Sequence, residues 1–468
     1  MIHALARMPQ DSCPATMQHD SRKDVREYES VPHQIMFASR KCRTASARHR
    51  SNVTTVSACS IVPSRVGFVP VNSASSPRVM RRINGDAVLR YALDAEEFST
   101  GDVMSATALT RATVLGVCAD LTAGGWLEEV PDVAPAGRRG RPSRRYRVPP
   151  DAGLLLGLDA GEHRLRAVLT DLHGRPLGTR ESLLRAASAS GRERLSTTST
   201  LIADLLAGVG ASADEVLISV AGVPAPVDAD GRSPVDDKGF WTAMNPGFPD
   251  VLPGKVIVEN DANLAVIAER TCLSAGENIA ALLSGERFGA GLIVDGRLLR
   301  GAHGGAGELR AMGIVVGAGS PDGLAALART WALELLADER TTRQGVLPQP
   351  SGAVDAAWVF HAAEQGAPGA QEIVARLGRR LARVAMILGS LLDVTTIVVA
   401  GAIAPAIEPA LRAARRQLHA HCPPPVPDII ASTLGGDVVA LGAVEQARRL
   451  LQADPLSFIP SRSGSAGR

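Results

Sequence analysis

One pattern occurs twice in this chain and constrains its fold more than any other feature. Residues 154–178 have the pattern of a strand, a DAGEHR turn, a second strand and a DLHGRPLG hairpin. Residues 279–301 repeat this pattern with the turn SGERFGAG and the hairpin VDGRLLRG. Two copies of one strand-turn-strand unit, ~125 residues apart, predict two related lobes of α/β structure.

Changes in composition divide the 468-residue chain into further units. Residues 1–78 contain one leucine and show no periodicity, which is typical of a disordered tail or of an extension ahead of the true start. A basic arm that touches DNA is the alternative for this segment. The predicted units are a tail (1–78), a DNA-binding domain (79–150), a first lobe (151–270), a second lobe whose C-terminal helix returns to the first (271–452) and a disordered tail (453–468).

The overall charge and the cysteine spacing exclude several classes of protein. With 50 basic and 48 acidic side chains, any nucleic-acid contact must come from a local basic patch. The six cysteines form no C-x-x-C pair, so no zinc site is predicted and a reduced, cytoplasmic protein is expected. No apolar run approaches the ~18 residues of a membrane span, which predicts no membrane partner.

Helical periodicity begins abruptly after the N-terminal segment. Apolar residues from Ile83 onward predict a first helix that ends near Asp94. Ser99 stands three residues before Asp102, and this capping box predicts the start of a short second helix. Residues 107–109 then form a turn.

The third predicted helix has the features of a DNA-recognition helix. Thr110 is its predicted cap, and Arg111 and Thr113 occupy the exposed first turn, which in a helix-turn-helix faces the major groove. Arg111 can pair bidentately with guanine, whereas threonine suits phosphate or a thymine methyl group. A helical bundle with a solvated polar face is the alternative interpretation.

A strand that begins at Trp126 and a return strand near Tyr146 predict a wing after this helix. Six arginines lie within residues 138–147, a density that favours contact with an anion such as the DNA backbone. A solvated loop is the alternative. The predicted DNA-binding residues are Thr110, Arg111, Thr113, Arg138, Arg139, Arg141, Arg144 and Arg145.

Five sequence blocks together resemble one family. STGDVMSATALTRATVLGVCADLTAGGWLEE and GRRGRPSRRY resemble the N-terminal module of the ROK family (repressors, open reading frames and sugar kinases). VAGVPAPVDADG, VIVENDANLAVIAE and VDGRLLRGAHGGAGELRAMG resemble its sugar-kinase-like domain. The resemblance covers roughly residues 79–450 and implies a winged helix-turn-helix followed by a two-lobed, actin- and hexokinase-like (ribonuclease H-like) α/β domain.

The resemblance also implies where a ligand binds. Asn260, Asp261 and Glu308 match positions that contact a sugar between the lobes, and Asp261 matches the catalytic base of the kinases. From the residues alone, Asp261 is also a candidate helix N-cap after the strand 256–258, and both roles are compatible. The family also implies a homodimer or a higher homo-oligomer.

Several residues depart from what a kinase of this family needs. Glu162 and His163 replace the glycine and threonine of the first phosphate-binding turn, and Glu162 is expected to repel ATP. Glu286 and Arg287 occupy the second turn, which keeps Gly285, Gly289 and Gly291. The zinc-site histidine of the family is replaced by Ala311 and its cysteine cluster is absent, so no metal is expected.

These observations predict a transcriptional regulator, acting as a repressor, that binds double-stranded operator DNA and responds to a sugar or sugar derivative. They predict no catalysis and no cofactor. The alternative is an ATP-dependent, glucokinase-like sugar kinase with a DNA-binding appendage, which the family base position Asp261 favours. A third hypothesis is a scaffold protein that senses no small molecule.

Overall fold

The computed structural model describes residues 77–131, 144–184, 190–273, 276–309, 313, 315 and 320–460. The N-terminal elements within these ranges are α1 (Pro77–Asp94), β1 (Phe98–Ser99), α2 (Thr100–Thr107), α3 (Arg111–Ala123), β2 (Glu128–Val130) and β3 (Arg145–Arg147). The three strands form an antiparallel sheet in the order β1-β3-β2. We call residues 77–150 the helical module.

Helix α1 is longer than the hydrophobic periodicity predicts. It begins at Pro77 rather than near Ile83, so its first residues fall in the segment predicted to be a tail. Ile83 is 53% exposed, and the buried face begins instead at Gly85 and continues through Leu93. The predicted end at Asp94 is confirmed.

The predicted caps of the next two helices are confirmed. The Ser99 hydroxyl accepts a hydrogen bond from the Asp102 N–H at 3.3 Å, and the Asp102 carboxylate accepts from the Ser99 N–H at 2.8 Å. The Thr110 hydroxyl accepts from the N–H of Thr113 at 3.3 Å. These bonds satisfy amide groups that a helix start otherwise leaves without partners, so each helix begins at a defined residue.

The first strand of the predicted wing begins later than predicted, whereas the return strand lies around Tyr146 as predicted. Strand β2 begins at Glu128, because Trp126 and Leu127 are buried in the core of the module and precede the paired residues. Strand β3 pairs with both β1 and β2. Residues 132–143, which include the predicted DNA-binding residues Arg138, Arg139 and Arg141, lie outside the described part of the chain.

The repeated sequence unit forms two sheets of the same topology. The first lobe contains β4 (Leu154–Ala160), β5 (Arg164–Thr170), β6 (Pro176–Leu183), β7 (Val216–Val223) and β8 (Lys255–Asn260). The second lobe contains β9 (Ile279–Ser284), β10 (Phe288–Val294), β11 (Arg297–Leu298), β12 (Thr396–Ala400) and β13 (Asp428–Ala431). Their strand orders, β6-β5-β4-β7-β8 and β11-β10-β9-β12-β13, correspond position by position, which confirms the prediction of two related lobes.

Helices cover both sheets. The first lobe has α4 (Gly191–Val209) and α5 (Phe240–Met244), and α6 (Asp261–Leu273) follows β8. The second lobe has α7 (Leu324–Ala337), α8 (Glu339–Arg343), α9 (Ala356–Glu364), α10 (Pro368–Leu392) and α11 (Glu408–His421), before α12 (Val438–Ala453). Among the helices that the structure describes, none is long and apolar enough to cross a membrane.

Helices α6 and α12 pack against each other between the two sheets. Helix α6 contacts β9 and β10, whereas α12 contacts β4 and β7 of the first sheet. The two helices approach so closely at Gly442 that a Cβ atom there would lie 2.0 Å from the carbonyl oxygen of Leu264. The predicted return of the C-terminal helix to the first lobe is therefore visible in these contacts.

The end of α12 also holds the helical module. The Asp94 carboxylate accepts hydrogen bonds from Arg448 and Gln452, and the Arg90 guanidinium donates to the carbonyl oxygens of residues 452 and 453. Beyond α12, residues 454–460 continue as a short turn rather than as the predicted tail, and Leu456 packs against the core of the module.

The close approach at Gly442 gives a stability test. We expect Gly442→Ala to lower the free energy of unfolding by roughly 2–3 kcal/mol, because the added methyl group meets rigid backbone. Gly116→Ala is the matched control, since a Cβ at Gly116 meets no atom within 4 Å and alanine favours the helix by up to ~1 kcal/mol. Urea denaturation followed by circular dichroism measures both. Equal losses in the two variants would contradict the packing described for α12.

Candidate functional site

A cleft with a volume of about 400 Å³ lies between the two lobes. The turn after β4 and the start of α6 line it from one side, and the turn after β9 lines it from the other. Carboxylate groups dominate its polar lining, which includes Asp159, Glu162, Asp261, Glu286 and Glu308. Asn260 also reaches this cleft, so the three predicted ligand-binding residues are brought together.

Helix α6 is capped one residue earlier than the sequence predicted. The Asn260 side chain, not that of Asp261, caps α6, since its oxygen accepts from the N–H of Asn263 at 3.1 Å. Its amide group donates to the carbonyl oxygen of Ala225 at 3.0 Å. Asp261 is the first residue of α6, and one of its oxygens accepts from the N–H of Ala262. The strand before it runs to Asn260, which shifts the cap by one residue.

Asn263, one turn into α6, is not among the residues that line the cleft. Its amide donates to the carboxylate of Glu259 at 2.9 Å, and both side chains are buried. Glu259 is also paired with Arg300 of the second lobe, with an N–O distance of 2.7 Å. This group therefore connects the lobes beneath the cleft floor.

The deepest carboxyl groups of the cleft are held partly protonated. Burial raises the pKa of Asp261 to about 8, and the nearby charges of Asp159 and Glu308 act in the same direction. Burial also raises the pKa of Asp159 to about 6, although Arg164, 3.7 Å away, counters part of this effect. A general base must be ionised to accept a proton, and a pKa near 8 means that most Asp261 side chains are protonated at neutral pH.

In the first turn, between β4 and β5, the carboxylate of Glu162 is part of an ion pair and is not free. Glu162 lies 3.7 Å from the guanidinium of Arg287, which belongs to the second turn. The expected repulsion of ATP by Glu162 is therefore reduced, because a positive charge accompanies it. The two side chains instead join the first turn to the second across the cleft.

Glu286 of the second turn is likewise neutralised. Arg329 on α7 donates to both of its carboxylate oxygens, at 2.9 and 2.6 Å. This bidentate contact lowers the pKa of Glu286, so the carboxylate stays ionised and bound to its own lobe. Glu286 thus anchors the turn and does not project alone into the cleft.

Gly291 has a packing role that the sequence pattern did not reveal. It was grouped with the phosphate turn, yet it lies within β10, and a Cβ there would be 1.9 Å from the carbonyl oxygen of Ala262. The glycine lets α6 approach the second sheet. Gly285, by contrast, lies in the turn itself, and a Cβ atom added there would meet no other atom within 4 Å.

The cleft also contains aromatic residues that sequence reasoning missed. Trp241 lines it, and the neighbouring Phe240 lies under the guanidinium of Arg287 at 3.7 Å from the ring centroid. Both residues belong to the short helix α5, which follows an irregular segment. No periodicity marks this position, so the sequence alone offered no signal for it.

The described residues contain no group of three or more His, Cys, Asp or Glu side chains that could hold a metal ion. Asp261 and Glu308 approach each other, but the cleft supplies no histidine beside them other than His163 on the first turn. Ala311, at the zinc-site position of the resemblance, lies outside the described residues.

The predicted DNA-binding residues that the structure describes, which are Thr110, Arg111, Thr113, Arg144 and Arg145, do not line the cleft. Arg111 is exposed and makes no ion pair with another described side chain, whereas the hydroxyls of Thr110 and Thr113 lie 2.9 Å apart and bond to each other. Arg144 and Arg145 are exposed and pair with Glu129 and Glu97, at 3.6 and 3.4 Å. Arg111 is therefore the side chain of this set with the fewest competing contacts.

Comparison with known proteins identifies related chains. The model of the ROK family matches residues 155–449. The bifunctional enzyme NanE/NanK of Brucella melitensis is 31% identical over 225 residues, which is 45% of this chain and 41% of that enzyme, so the chain spans less than half the length of this relative.

Solved structures share the fold over a longer range. A ROK family transcriptional regulator described as a homologue of the E. coli MLC protein covers 81% of this chain and 98% of its own, with 18% identity and a TM-score of 0.60. A ROK family glucokinase from Streptomyces griseus, solved with glucose and AMPPNP, covers 64% of this chain and 100% of its own, with 23% identity and a TM-score of 0.51.

The raised pKa of Asp261 predicts how stability depends on pH. Between pH ~4 and ~8 the folded protein keeps a proton that the unfolded chain has lost, so this residue lowers stability as pH rises. We expect Asp261→Asn to gain stability over the natural chain by roughly 1–3 kcal/mol as pH rises from 5 to 8. Thermal denaturation at a series of pH values measures this gain, with the exposed Asp204→Asn as control. A constant difference between Asp261→Asn and the natural chain would disprove the assignment.

Proposed function

The chain belongs to the ROK family, and we propose that within this family it is a DNA-binding transcriptional regulator, acting as a repressor, rather than a sugar kinase. The observation that carries the proposal is the helical module, in which a capped third helix presents Arg111 on an exposed first turn. The match to the regulator structure covers 81% of the chain and therefore extends beyond residues 155–449, which supports an appended domain of this kind.

The geometry of the module suits a winged helix-turn-helix. Helices α2 and α3 are joined by residues 108–110, and Ala108 has a left-handed backbone (φ 58°) that turns the chain sharply. In such a motif the second of the two helices enters the major groove with its N-terminal residues against base edges. We assign this role to α3, and we assign the wing to β2, β3 and the arginine-rich segment between them.

The ion pairs of the wing arginines are compatible with DNA binding. Arg144 and Arg145 are exposed, as are their carboxylate partners Glu129 and Glu97. Exposed pairs of this kind contribute about 0–1 kcal/mol. DNA phosphates can therefore replace these carboxylates at small cost, and the released counterions favour the complex.

Sugar kinase activity is the second candidate, because Asp261 lies in the cleft where the resemblance puts a catalytic base. The pair Glu162–Arg287 weighs against it, because this ion pair joins the two turns that would have to bind the phosphates. Phosphate-binding turns need free backbone N–H groups and room for the phosphate oxygens.

The proposed effector is a sugar or a related polyol that binds near Asn260, Asp261 and Glu308, without a cofactor. Helix α12 offers a route from this site to DNA, since Val438 and Val439 line the cleft while its other end contacts α1. An effector shifts operator affinity ~100-fold only if it binds one lobe arrangement ~2.7 kcal/mol more tightly than the other. We further propose a homodimer, which would let two modules read the halves of a palindromic operator.

The DNA-binding proposal predicts different roles for the arginines. After operator selection from random duplex DNA, we expect Arg111→Ala to relax specificity at one base pair at a cost of ~1–3 kcal/mol. Arg144→Ala is the matched control, since the loss of a phosphate contact weakens binding to all sequences and lowers the salt slope. Fluorescence anisotropy at several salt concentrations measures both. Failure to select any duplex would remove the proposal, and identical effects of both variants would remove the assigned roles.

The kinase alternative predicts turnover, whereas the regulator proposal predicts none. We expect no ATP-dependent phosphorylation of common hexoses or N-acetylhexosamines above background in a coupled assay. The Streptomyces griseus glucokinase is a positive control. Turnover that Asp261→Asn abolishes would show that the chain is a kinase. A thermal shift with unphosphorylated sugars, lost in Asp261→Ala, would support the proposed effector site.

A further inference from the structure

One side chain of the second lobe reaches across the cleft and touches two residues of the first. The Nε atom of Arg287 lies 3.7 Å from a carboxylate oxygen of Glu162, and its guanidinium lies over the ring of Phe240 at 3.7 Å from the centroid. An ion pair and a cation–π contact thus converge on one guanidinium. Both partners belong to the first lobe.

The second-lobe end of this contact is held firmly. The backbone of Arg287 forms an antiparallel bridge with Asp322, and the N–H of Gly323 donates to the carbonyl oxygen of Glu286 at 2.9 Å. The bidentate contact of Arg329 with Glu286 ties the same turn to α7. Arg287 therefore moves with the second lobe as a whole.

The first-lobe end is held as well. The carboxylate of Asp236 accepts from the N–H groups of Phe240 and Trp241, at 3.2 and 2.8 Å, and so fixes the start of α5. Glu162 lies in the turn between β4 and β5, and its side chain is 20% exposed. A change in the distance between the lobes must therefore break the contacts of Arg287, since neither end can follow freely.

We propose that Arg287, Glu162 and Phe240 form an intramolecular clasp that ties the two lobes together at the end of the cleft lined by the turns after β4 and β9. The clasp joins the two turns through a side chain of the protein itself, as a ligand bound to both turns would. These contacts therefore favour a closed arrangement at this end of the cleft. An effector at Asp261 then acts on a cleft that is already tethered at its other end.

This inference deepens the proposed function, and its regulatory meaning rests on that function. The contacts that form the clasp do not depend on that function, since they are made within this chain. A half-exposed ion pair and a cation–π contact are individually weak. Because both are lost together, we expect breaking the clasp to raise the ratio of open to closed cleft roughly tenfold.

Hydrogen-exchange mass spectrometry on the full chain, without DNA or effector, tests the clasp. We expect Arg287→Ala to raise amide exchange in residues 161–164 and in α5 about tenfold, while α10 stays unchanged. Glu162→Gln, on the opposite lobe, should act in the same direction. The double variant should exceed Arg287→Ala only slightly, because both changes break one contact set.

Arg329→Ala is the matched control, because Arg329 on α7 contacts Glu286 of the same turn from within the second lobe and does not cross the cleft. It should loosen residues 285–288 and leave α5 unchanged. The clasp is overturned if Arg287→Ala leaves α5 unchanged, if Arg329→Ala loosens α5 equally, or if the effects of Glu162→Gln and Arg287→Ala simply add. Such a failure leaves the DNA-binding proposal intact, and a failure to bind DNA leaves the clasp intact.

Discussion

The packing of α12 against the backbones around it is the constraint on which the rest of the structure depends. Gly157 and Gly222 in the first sheet and Gly442 in the helix itself allow this approach, since a Cβ at any of them would lie within 2.6 Å of another atom. Interiors packed this closely transmit displacement rather than absorb it. The first residues of α12 line the cleft, and its last turn hydrogen-bonds to α1. The site and the helical module therefore share one rigid element.

The electrostatics of the cleft follow from how its charges are distributed. Burial raises the pKa of both Asp159 and Asp261, and the charge of Asp159 further raises the free energy of ionising Asp261. The charges on the two turns are paired instead, Glu162 with Arg287 and Glu286 with Arg329. This arrangement is the physical reason for proposing a neutral ligand with hydroxyl groups and not a polyphosphate, because hydroxyls can bond to protonated and ionised carboxyl groups alike.

The helical module packs against the lobes that form the cleft and is not connected to them by a linker alone. Residues of α1, of the small sheet and of α12 belong to one hydrophobic cluster, and ion pairs such as Arg448–Asp94 surround it. Linked domains with small polar interfaces move independently by default. The shared cluster packs the module against α12, and this packing is the physical basis of the proposed route from the cleft to DNA.

The sequence by itself determined the features that depend on neighbouring residues. The repeated strand-turn-strand unit predicted two lobes, and the caps at Ser99 and Thr110 predicted where two helices begin, because a side chain three residues from an amide bonds it in almost any surroundings. The clustering of Asn260, Asp261 and Glu308 came from family resemblance. Tertiary structure alone decided what lies opposite each residue. The partner of Glu162 is 125 positions away on another lobe, α5 has no periodic signal, and the pKa of Asp261 depends on burial by distant segments. Such pairings are set by how the sheets and helices pack, and no local pattern in the chain encodes them.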